Sequence, residues 1–330
     1  MEACFITTYR CNAHCMMCNT WQFPSNKKEE IGAAIIDKLP KGIDKINVTG
    51  GEPGLREDLL EIITVLRNKA KGIDISTNGY FTERLVQVGK KCPDVAFRVS
   101  VEGLPKMNDE LRGIKDGYEH ALRTVIRLKE EGVRSVGFGI VISDKNKDDL
   151  LDLYRLCSMM GIEFGSSTMH NSFYFHKMDN EIKDVKGTVE QLRRFIEALL
   201  TSNRTNMKLR IKDWGRAYIN YGLLKFICGE ERPIPCAAGK DLFFLDPFGY
   251  ILACNGSDEP WVMGDLKSRT FEEIWASKEA EEARKKVAQC TKNCWMVGSA
   301  RPAMRNHPIR PVRWILRNKM RLSLKKSIWD

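Results

Sequence analysis

Three cysteines near the N-terminus are the residues of this sequence best suited to chemistry. Cys11, Cys15 and Cys18 are separated by three and then by two residues, which places three thiols on one short loop. Three thiolates can ligate three irons of a cubane [4Fe–4S] cluster, and the fourth iron then stays open to a small molecule. An open coordination position distinguishes a reactive metal centre from a structural one. A zinc site completed by a distant fourth ligand and a set of ordinary buried thiols are the alternatives.

The elements that must position this loop follow a regular pattern. The first 170 residues alternate short β-branched runs with segments of helical periodicity. Alternating strands and helices indicate parallel β/α units, which right-handed crossovers curve into an α/β fold, a partial (βα)6 TIM-like barrel. The predicted strands are Cys4–Thr8, Lys45–Val48, Ile73–Ser76, Val95–Val101, Val136–Ile142 and Glu163–Ser167. The predicted helices are Glu29–Lys38, Arg56–Lys71, Thr82–Lys91, Tyr118–Glu131 and Lys147–Met160.

Polar motifs follow the ends of the predicted strands. The run Gly50-Gly51-Glu52-Pro53 follows the second strand, Thr77-Asn78-Gly79 the third, and Ser100-Val101-Glu102-Gly103 the fourth. In barrels of this kind the chemistry lies at the C-terminal ends of the strands. We therefore expect these motifs to meet the cysteine loop at one end of the barrel.

These motifs resemble those of the radical S-adenosylmethionine (radical SAM) superfamily. The resemblance covers residues 3–170 and rests on the cysteine motif, the Gly-Gly-Glu-Pro motif and the segment from Ser100 to Gly113, in that order. It implies an open-site [4Fe–4S] cluster held by Cys11, Cys15 and Cys18, with SAM at the fourth iron. It also implies reductive cleavage of SAM to a 5′-deoxyadenosyl radical, which abstracts a hydrogen atom from the substrate.

The resemblance further implies which residues contact SAM. Glycine permits a close backbone approach to the amino group of SAM, and the carboxylate that follows can face a cationic amine. An arginine suits the SAM carboxylate, and a methionine thioether can cover the edge of the adenine ring. Ser100 and Glu102 would lie near the ribose or the amino acid moiety. The implied contacts are Met17, Gly50, Gly51, Glu52, Ser100, Glu102 and Arg112.

A second group of cysteines lies between residues 236 and 294. Cys236 and Cys254 flank a predicted β-hairpin with an Asp-Pro-Phe-Gly turn. A predicted helix, Phe271–Ala288, leads to Cys290 and Cys294. Four thiolates can fully ligate a second [4Fe–4S] cluster. The arrangement resembles the twitch domain, a shortened SPASM domain with one auxiliary cluster, and a structural zinc site is the alternative.

The role of that auxiliary cluster and of the other cysteines stays open in the sequence. A fully ligated cluster could accept an electron from the substrate or could only hold the fold. Cys228 is an extra or alternative ligand candidate. Cys4, Cys92 and Cys157 fall in core-like patterns and are expected to be ordinary buried thiols.

Substrate-binding residues give the weakest signal. The run from Met169 to His176 follows the sixth predicted strand, so its polar side chains are expected at the barrel mouth. No catalytic acid or base is assigned from the sequence. The pocket candidates are His170, Asn171, Tyr174 and His176, with Asp213 and Trp214 as further candidates.

The positive charge is concentrated in the last thirty residues. The net charge is +10, and residues 301–330 contain nine basic residues and one acidic residue. Apolar residues recur there at every fourth position beside the basic ones, at Val312, Leu316, Met320, Leu324 and Ile328. As a helix this segment would be basic and amphipathic, and could contact an anionic membrane. A terminal helix packed by its apolar stripe and a contact with nucleic acid are the alternatives. The near-neutral body disfavours nucleic acid.

The sequence thus predicts four parts: a radical SAM barrel core (1–187), a helical or irregular connector (188–235), an auxiliary cluster domain of β-hairpin and helix (236–300), and a basic amphipathic tail (301–330). The connector is expected to contain one helix, Val189–Leu200, and then irregular sequence. Clustered cysteines without a signal peptide favour a cytoplasmic protein that binds metal through thiols. Peripheral membrane contact through the tail is an option, because no apolar run is long enough for a membrane span.

The expected function is that of a radical SAM oxidoreductase or transferase. Its expected substrate is a lipid-linked or sugar-like metabolite that undergoes oxidation or carbon-bond formation, with electrons from a flavodoxin- or ferredoxin-type donor. A SPASM-type peptide maturase is the first alternative, although the sequence begins at the first predicted strand and not with a peptide-binding domain. An RNA-modifying enzyme is the second. A non-enzymatic electron carrier leaves the SAM motifs unexplained.

Overall fold

One nine-stranded sheet runs through the structure, a computed structural model that describes residues 1–329. The strands lie in the order β6-β5-β4-β3-β2-β1-β7-β8-β9. The seven from β6 to β7 in this order are parallel, and the last two pairings are antiparallel. The strands are β1 (Glu2–Ile6), β2 (Lys45–Thr49), β3 (Ile73–Thr77), β4 (Ala96–Ser100), β5 (Val136–Ile142), β6 (Glu163–Thr168), β7 (Leu242–Leu245), β8 (Tyr250–Leu252) and β9 (Val262–Asp265).

Helices connect and cover the strands. The apolar side of the sheet packs against them in one continuous core, with Val48, Phe97 and Phe138 fully buried. The helices are α1 (Ala33–Ile36), α2 (Leu59–Arg67), α3 (Thr82–Lys91), α4 (Pro105–Arg112), α5 (Gly117–Glu130), α6 (Leu150–Met159), α7 (Val185–Leu200), α8 (Met207–Ile227), α9 (Phe271–Trp275), α10 (Lys278–Ala288), α11 (Val297–Asn306) and α12 (Ile309–Ser323). No helix within residues 1–329 is both long enough and apolar enough to cross a bilayer.

The predicted α/β barrel fold is confirmed, and all six predicted strands are present within two residues of their expected bounds. The hairpin of the second cysteine group is also present. Its Asp246 carboxylate accepts hydrogen bonds from the amides of Phe248 and Tyr250, and Gly249 has the positive φ of 98° that closes the turn. The sequence did not reveal that β7 pairs with β1 and so extends the barrel sheet.

Two predicted helices are corrected by long-range contacts. The segment predicted as Glu29–Lys38 is helical only over α1, because the Glu30 carboxylate binds Arg10 and the Ile31 amide donates to the Pro247 carbonyl at 2.8 Å. The helix predicted over Phe271–Ala288 is divided into α9 and α10. The break lies at Ser277, whose hydroxyl accepts from the Ala280 amide and caps α10.

The connector contains a second long helix, α8, where irregular sequence was expected. Its pattern is weakly amphipathic because neighbouring elements cover it on several sides and its interior includes polar side chains. Asp213 is fully buried and pairs with Arg204 at 2.8 Å, while it accepts from the Tyr154 hydroxyl at 3.0 Å. Asp213 therefore belongs to helix packing and not to a substrate pocket, which corrects the sequence expectation. The ring of its neighbour Trp214 lies 4.0 Å from the ammonium group of Lys319 in α12.

Helix α11 lies at the N-terminal ends of the strands, opposite the cysteine loop. Arg301 reaches the carboxylate of Glu2 in β1 at 3.4 Å, and Arg305 reaches Asp44, just before β2, at 3.0 Å. The boundary predicted at residue 301 falls inside this helix. The division into four parts stays a prediction. The basic segment begins in α11, and its contacts at the N-terminal ends of the strands form what we call the floor of the barrel.

A glycine in α8 gives a test of this packing. A Cβ on Gly222 would lie 2.2 Å from Nε1 of the fully buried Trp295. We expect Gly222→Ala to lower the free energy of unfolding by about 1–3 kcal/mol, because the indole must move. The matched variant Gly215→Ala lies in the same helix with no atom within 4 Å of its Cβ. It should be neutral or stabilising by up to about 1 kcal/mol. Urea denaturation measures both, and equal effects would contradict the packing.

Candidate active site

The first cysteine loop follows β1 at the C-terminal edge of the sheet. Cys11, Cys15 and Cys18 are half-buried there. Burial raises the pKa of Cys11 to about 12 and that of Cys15 to about 11; neighbouring thiols and carboxylates add to the shift, whereas Arg112 opposes it. These two thiols are therefore protonated at neutral pH until a metal displaces their protons.

The end of α4 fixes the conformation of this loop. The amide of His14 donates to the Arg112 carbonyl at 2.9 Å, and that of Met16 donates to the Leu111 carbonyl at 2.8 Å. Gly113, which ends the helix at a φ of 54°, leaves room for the loop, since a Cβ there would lie 2.6 Å from the His14 carbonyl. The cysteines are thus held by backbone contacts that do not depend on their side chains.

The Gly-Gly-Glu-Pro loop after β2 lies directly against the backbone that enters the cysteine loop. The Gly51 amide donates to the Thr8 carbonyl at 2.7 Å, and the Glu52 amide donates to the Arg10 carbonyl at 2.9 Å. A Cβ on Gly51 would lie 2.2 Å from the Arg10 oxygen, and one on Gly50 would lie 2.6 Å from the Thr8 oxygen. Only glycine fits this approach.

The Glu52 carboxylate binds the ends of two strands together. It is fully buried and accepts hydrogen bonds from the Gly54 amide, the Thr77 hydroxyl and the Asn78 amide, all at 2.6–2.7 Å. Burial raises its pKa, although these donors oppose the shift. A carboxylate has about four acceptor positions, so one remains for a further donor such as the SAM amine. That contact stays a prediction.

Arg112 has the donor that an anionic ligand would need. The side chain is buried and pairs with Glu102 at 3.1 Å, while its Nε has no hydrogen-bond partner among residues 1–329. Glu102 is itself buried and also accepts from the Val141 amide at 2.6 Å. An unpartnered buried guanidinium nitrogen is costly. It fits the carboxylate of SAM, the group that the sequence assigned to Arg112.

The remaining predicted SAM contacts lie beside this group. Ser100 is the last residue of β4, two residues before Glu102. Met17 is 8% exposed, and its carbonyl accepts from the Asn180 side chain at 3.0 Å. Their contacts with SAM stay predictions.

The segment after β6 carries four pocket candidates, and they have different surroundings. The Asn171 side chain accepts a hydrogen bond from the Asn180 amide at 2.8 Å. The buried Tyr174 hydroxyl donates to the Gly50 carbonyl at 2.7 Å, so this group is already used inside the protein. The half-buried His170 lies 3.2 Å from the Thr168 carbonyl, and burial lowers its pKa. His176 is exposed and stacks on Phe23 with ring centroids 4.2 Å apart. Of the four, only His176 has an exposed side chain, and the His170 ring also contacts Phe175, at 5.0 Å between ring centroids.

The second cysteine group assembles around Gly256. The sulfurs of Cys254 and Cys294 lie 3.8 and 4.0 Å from the position of a Cβ on that glycine. Burial raises the pKa of Cys254 to about 12 and that of Cys294 to about 11, and the nearby thiols of Cys236 and Cys290 add to both shifts. The structure thus brings all four predicted ligands together.

The other cysteines lie apart from both groups. Cys228 is exposed at the end of α8, near Glu230 and Arg193. Cys92 and Cys157 are buried in the core, as expected, whereas Cys4 is half-buried and faces Asn47 on the next strand. Within residues 1–329, no three His, Cys, Asp or Glu side chains are spaced to hold a single metal ion. A cluster of several irons separates its ligands more widely than one ion does.

Comparison with known proteins agrees with this geometry. The model of the radical SAM superfamily matches residues 5–157. A relative named Fe-coproporphyrin III synthase, from Methanosarcina barkeri, is 34% identical over 305 residues, which cover 81% of this chain and 71% of the relative. The chain belongs to the radical SAM superfamily.

A second match identifies the C-terminal unit of this radical SAM enzyme. The model of the SPASM iron–sulfur cluster-binding domain covers residues 236–295, from the first to just past the last cysteine of the second group. The enzyme therefore binds a [4Fe–4S] cluster and SAM in its barrel, and auxiliary iron–sulfur in its SPASM domain. The assignment of individual cysteines to the clusters stays a prediction.

Other similar proteins differ in their named roles. The sporulation killing factor maturation protein SkfB from Bacillus subtilis is 24% identical over 88% of this chain and 67% of its own length. The solved structure titled native anSMEcpe with bound AdoMet shares the fold with a TM-score of 0.64, at 15% identity over 96% of this chain and 100% of that one. The matched part of this chain covers only 40% of a pre-heme d1 synthase from Dinoroseobacter shibae and 52% of a GTP 3',8-cyclase from Aquifex aeolicus.

Sequence reasoning missed a buried polar network beneath the radical SAM cysteine loop. The side chain of Glu30 is 1% exposed and accepts from Ser25 at 2.6 Å and from Arg10 at 2.8–3.0 Å. Arg56 joins it at 3.2 Å and also donates to the Thr7 carbonyl at 2.9 Å. A carboxylate inside an otherwise helical pattern was the only signal. Asn78 belongs to the motif after the third strand, which was expected to meet the cysteine loop, and its side chain donates to Asn12 in that loop at 2.8 Å.

Gly51→Ala tests the close approach of the two loops. The added methyl group must displace the Arg10 carbonyl and the loop that it precedes, so we expect SAM affinity to fall by at least about tenfold. Iron bound at the barrel should fall with it. Equilibrium dialysis with labelled SAM under anaerobic conditions measures the first, and iron analysis the second. Gly298→Ala, with no atom within 4 Å of its Cβ, is the control and should match the wild type.

Arg112→Lys tests the unpartnered guanidinium nitrogen. Lysine keeps the charge beside Glu102 but loses the planar fork, so SAM affinity should fall by about tenfold. The same dialysis measures it, together with the melting temperature. Arg123→Lys, in an exposed pair with Glu119, is the matched control. Wild-type affinity in Arg112→Lys would mean that Arg112 only neutralises Glu102.

Proposed function

We propose that this radical SAM enzyme oxidises a lipid-linked or sugar-like substrate held between its two cysteine groups. The segment after β6 carries the proposal because it contacts both groups. On one side, Thr20 donates to the Tyr174 carbonyl at 3.1 Å, next to the radical SAM cysteines. On the other side, the Phe173 amide donates to the Ser257 carbonyl at 3.0 Å, next to Cys254.

The residues of the barrel would bind and orient the cofactors. When bound, the cluster and SAM supply a 5′-deoxyadenosyl radical that takes a hydrogen atom from the substrate. Cys11, Cys15 and Cys18 would hold the cluster, and Arg112 would orient SAM through its carboxylate. Tyr174 covers the Gly50 carbonyl and keeps this loop in place. Buried side chains around the site exclude water, which limits side reactions.

The second cysteine group supports an oxidation. A two-electron oxidation removes one hydrogen atom, one electron and one proton from the substrate. When bound by Cys236, Cys254, Cys290 and Cys294, the auxiliary cluster supplies an acceptor for that electron. Burial lowers the pKa of His170, and the positive charge of nearby Lys292 lowers it further. The hydrogen bond to the Thr168 carbonyl opposes this shift. Neutral at pH 7, His170 is a candidate to receive the proton.

An aromatic cluster at the same edge supports a ring-shaped substrate. Tyr9 lies 6.0 Å from Tyr174, 5.7 Å from Phe248 and 6.4 Å from His176, measured between ring centroids. These residues come from the cysteine loop, the segment after β6 and the SPASM hairpin. Aromatic faces with polar edges suit a substrate that is partly apolar and partly polar, as a sugar ring is. A lipid-linked sugar would also place the enzyme at the cytoplasmic face of a membrane.

Peptide maturation is a second candidate. It is favoured by the similarity to a protein named for the maturation of a killing factor over 88% of this chain. For either substrate we propose a flavodoxin- or ferredoxin-type electron donor, because the barrel cluster must be reduced before each turnover.

Cys254→Ala tests the second cluster and its role. We expect the wild type to hold about eight irons and Cys254→Ala about four. With SAM and a reductant, the variant should still release 5′-deoxyadenosine but form no oxidised product. Iron analysis and chromatography measure these quantities. The matched variant Cys228→Ala changes an exposed cysteine outside the group and should retain all irons. If Cys254→Ala still formed the oxidised product, the auxiliary cluster would have only a structural role.

The substrate class is tested by deuterium transfer. Candidate substrates that carry deuterium on their carbon atoms are incubated with enzyme, SAM and reductant. The deuterium content of the released 5′-deoxyadenosine is then measured by mass spectrometry. Deuterium from a polyprenyl-linked sugar would support the first proposal, and deuterium from a peptide alone would support the second. Transfer only from a tetrapyrrole would overturn both.

A further inference from the structure

Helix α12 has an exposed apolar stripe. Its five members are each between 52% and 79% exposed, although they are of the residue types that most often lie inside proteins. They recur at helical spacing on one side of the helix, and no other element of residues 1–329 covers them. The α12 stripe consists of Ile309, Val312, Leu316 and Met320 together with Leu324, the residue that caps the helix. Ile328, which the sequence pattern included, packs against the core instead.

The opposite side of α12 is fixed on the protein. Trp314 stacks on Tyr221 of α8 at 4.8 Å between ring centroids. Asn318 is buried, and the Lys319 ammonium group lies 4.0 Å from the centre of the Trp214 ring and 2.8 Å from the Leu200 carbonyl. The helix therefore cannot turn its stripe inward without losing this packing. This corrects the sequence alternative in which the stripe itself packs on the body.

Basic side chains border the stripe. Arg313 and Arg317 lie beside Val312 and Leu316, and they are exposed. Lys325 and Lys326 follow the end of the helix and are exposed as well. Among residues 1–329, none of these four cations lies within 4 Å of a carboxylate. Apolar surface bordered by unneutralised cations is the pattern of helices that lie in the interface of an anionic membrane.

We propose that the α12 stripe binds an anionic membrane surface, with its apolar side chains among the acyl chains and its cations at the headgroups. A second copy of the chain is a poor occupant. A two-fold interface on this stripe would bring Arg313 and Arg317 of both copies into one patch, where the four like charges repel. The proposal goes beyond the proposed function, because it requires neither SAM nor a substrate.

Vesicle sedimentation of the full-length protein tests this surface. The wild type should bind vesicles with about 30% phosphatidylglycerol, bind pure phosphatidylcholine at least about tenfold more weakly, and dissociate at high salt. Leu316→Ser with Met320→Ser should reduce the partition coefficient by about tenfold or more. Arg313→Gln with Arg317→Gln should weaken the dependence on anionic lipid, while Lys325 and Lys326 retain part of it. Met159→Ser, which changes an 86% exposed methionine of α6, is the matched control and should bind as the wild type does.

Three results would overturn the proposal: a wild type that stays in solution, equal binding to both kinds of vesicle, or a wild-type dimer that Leu316→Ser converts to a monomer. Sedimentation equilibrium without vesicles measures the last. Release of 5′-deoxyadenosine in the same preparations should be equal in all variants. If the wild type released no 5′-deoxyadenosine, that result would count against the proposed function and not against membrane binding by the α12 stripe.

Discussion

The active site depends on one contact between two stretches of backbone. Gly51 lies so close to Arg10 that no side chain fits between them, and the loops after β1 and β2 thereby become a single unit. Because β1 and β2 are neighbouring parallel strands, their carboxyl ends already lie side by side. The glycine pair turns this proximity into hydrogen bonds. From there Glu52 extends the unit to β3, and Asn78 returns from β3 to Asn12 in the cysteine loop.

Charge in this region is arranged around one guanidinium. Arg112 is buried beside Glu102 and near Glu52, Cys11 and Cys15. When the thiols ionise to bind iron, negative charge accumulates where water is scarce, and the arginine offsets part of that cost. The raised thiol pKa values and the unpartnered Nε of Arg112 therefore have a common cause, which is polar groups buried without their ligands. Cofactor binding would give these groups their partners, as in other preorganised sites.

The parts of this structure that could be predicted from the sequence are those that depend on residues close together along the chain. The six strands show as β-branched runs, and the first cysteine group and the Gly-Gly-Glu-Pro run are short and contiguous, so their order along the chain placed them correctly. The second cysteine group spans residues 236–294, and it was visible because its cysteines flank a predicted hairpin and follow a predicted helix. Helix α8 was missed because its buried Asp213 and Asn220 conceal an apolar face. Glu30 was missed because its two arginine partners, Arg10 and Arg56, lie 20 and 26 residues away. The stripe of α12 was visible, but only the packing of Trp314 on Tyr221 decides which side of the helix faces outward.

The floor of the barrel has a consequence for how this chain could be processed. Arg301 and Arg305 supply the cations that the described structure places beside Glu2, and both precede His307, where α11 ends. A protease that removed the whole basic segment would leave a buried carboxylate uncompensated and weaken the first strand of the sheet. A cut after His307 would keep both arginines and leave the floor intact, and α12 would then be held only by its packing on α7 and α8. The part of the basic segment that the barrel requires therefore ends near His307, several residues beyond the point at which the charge of the sequence changes.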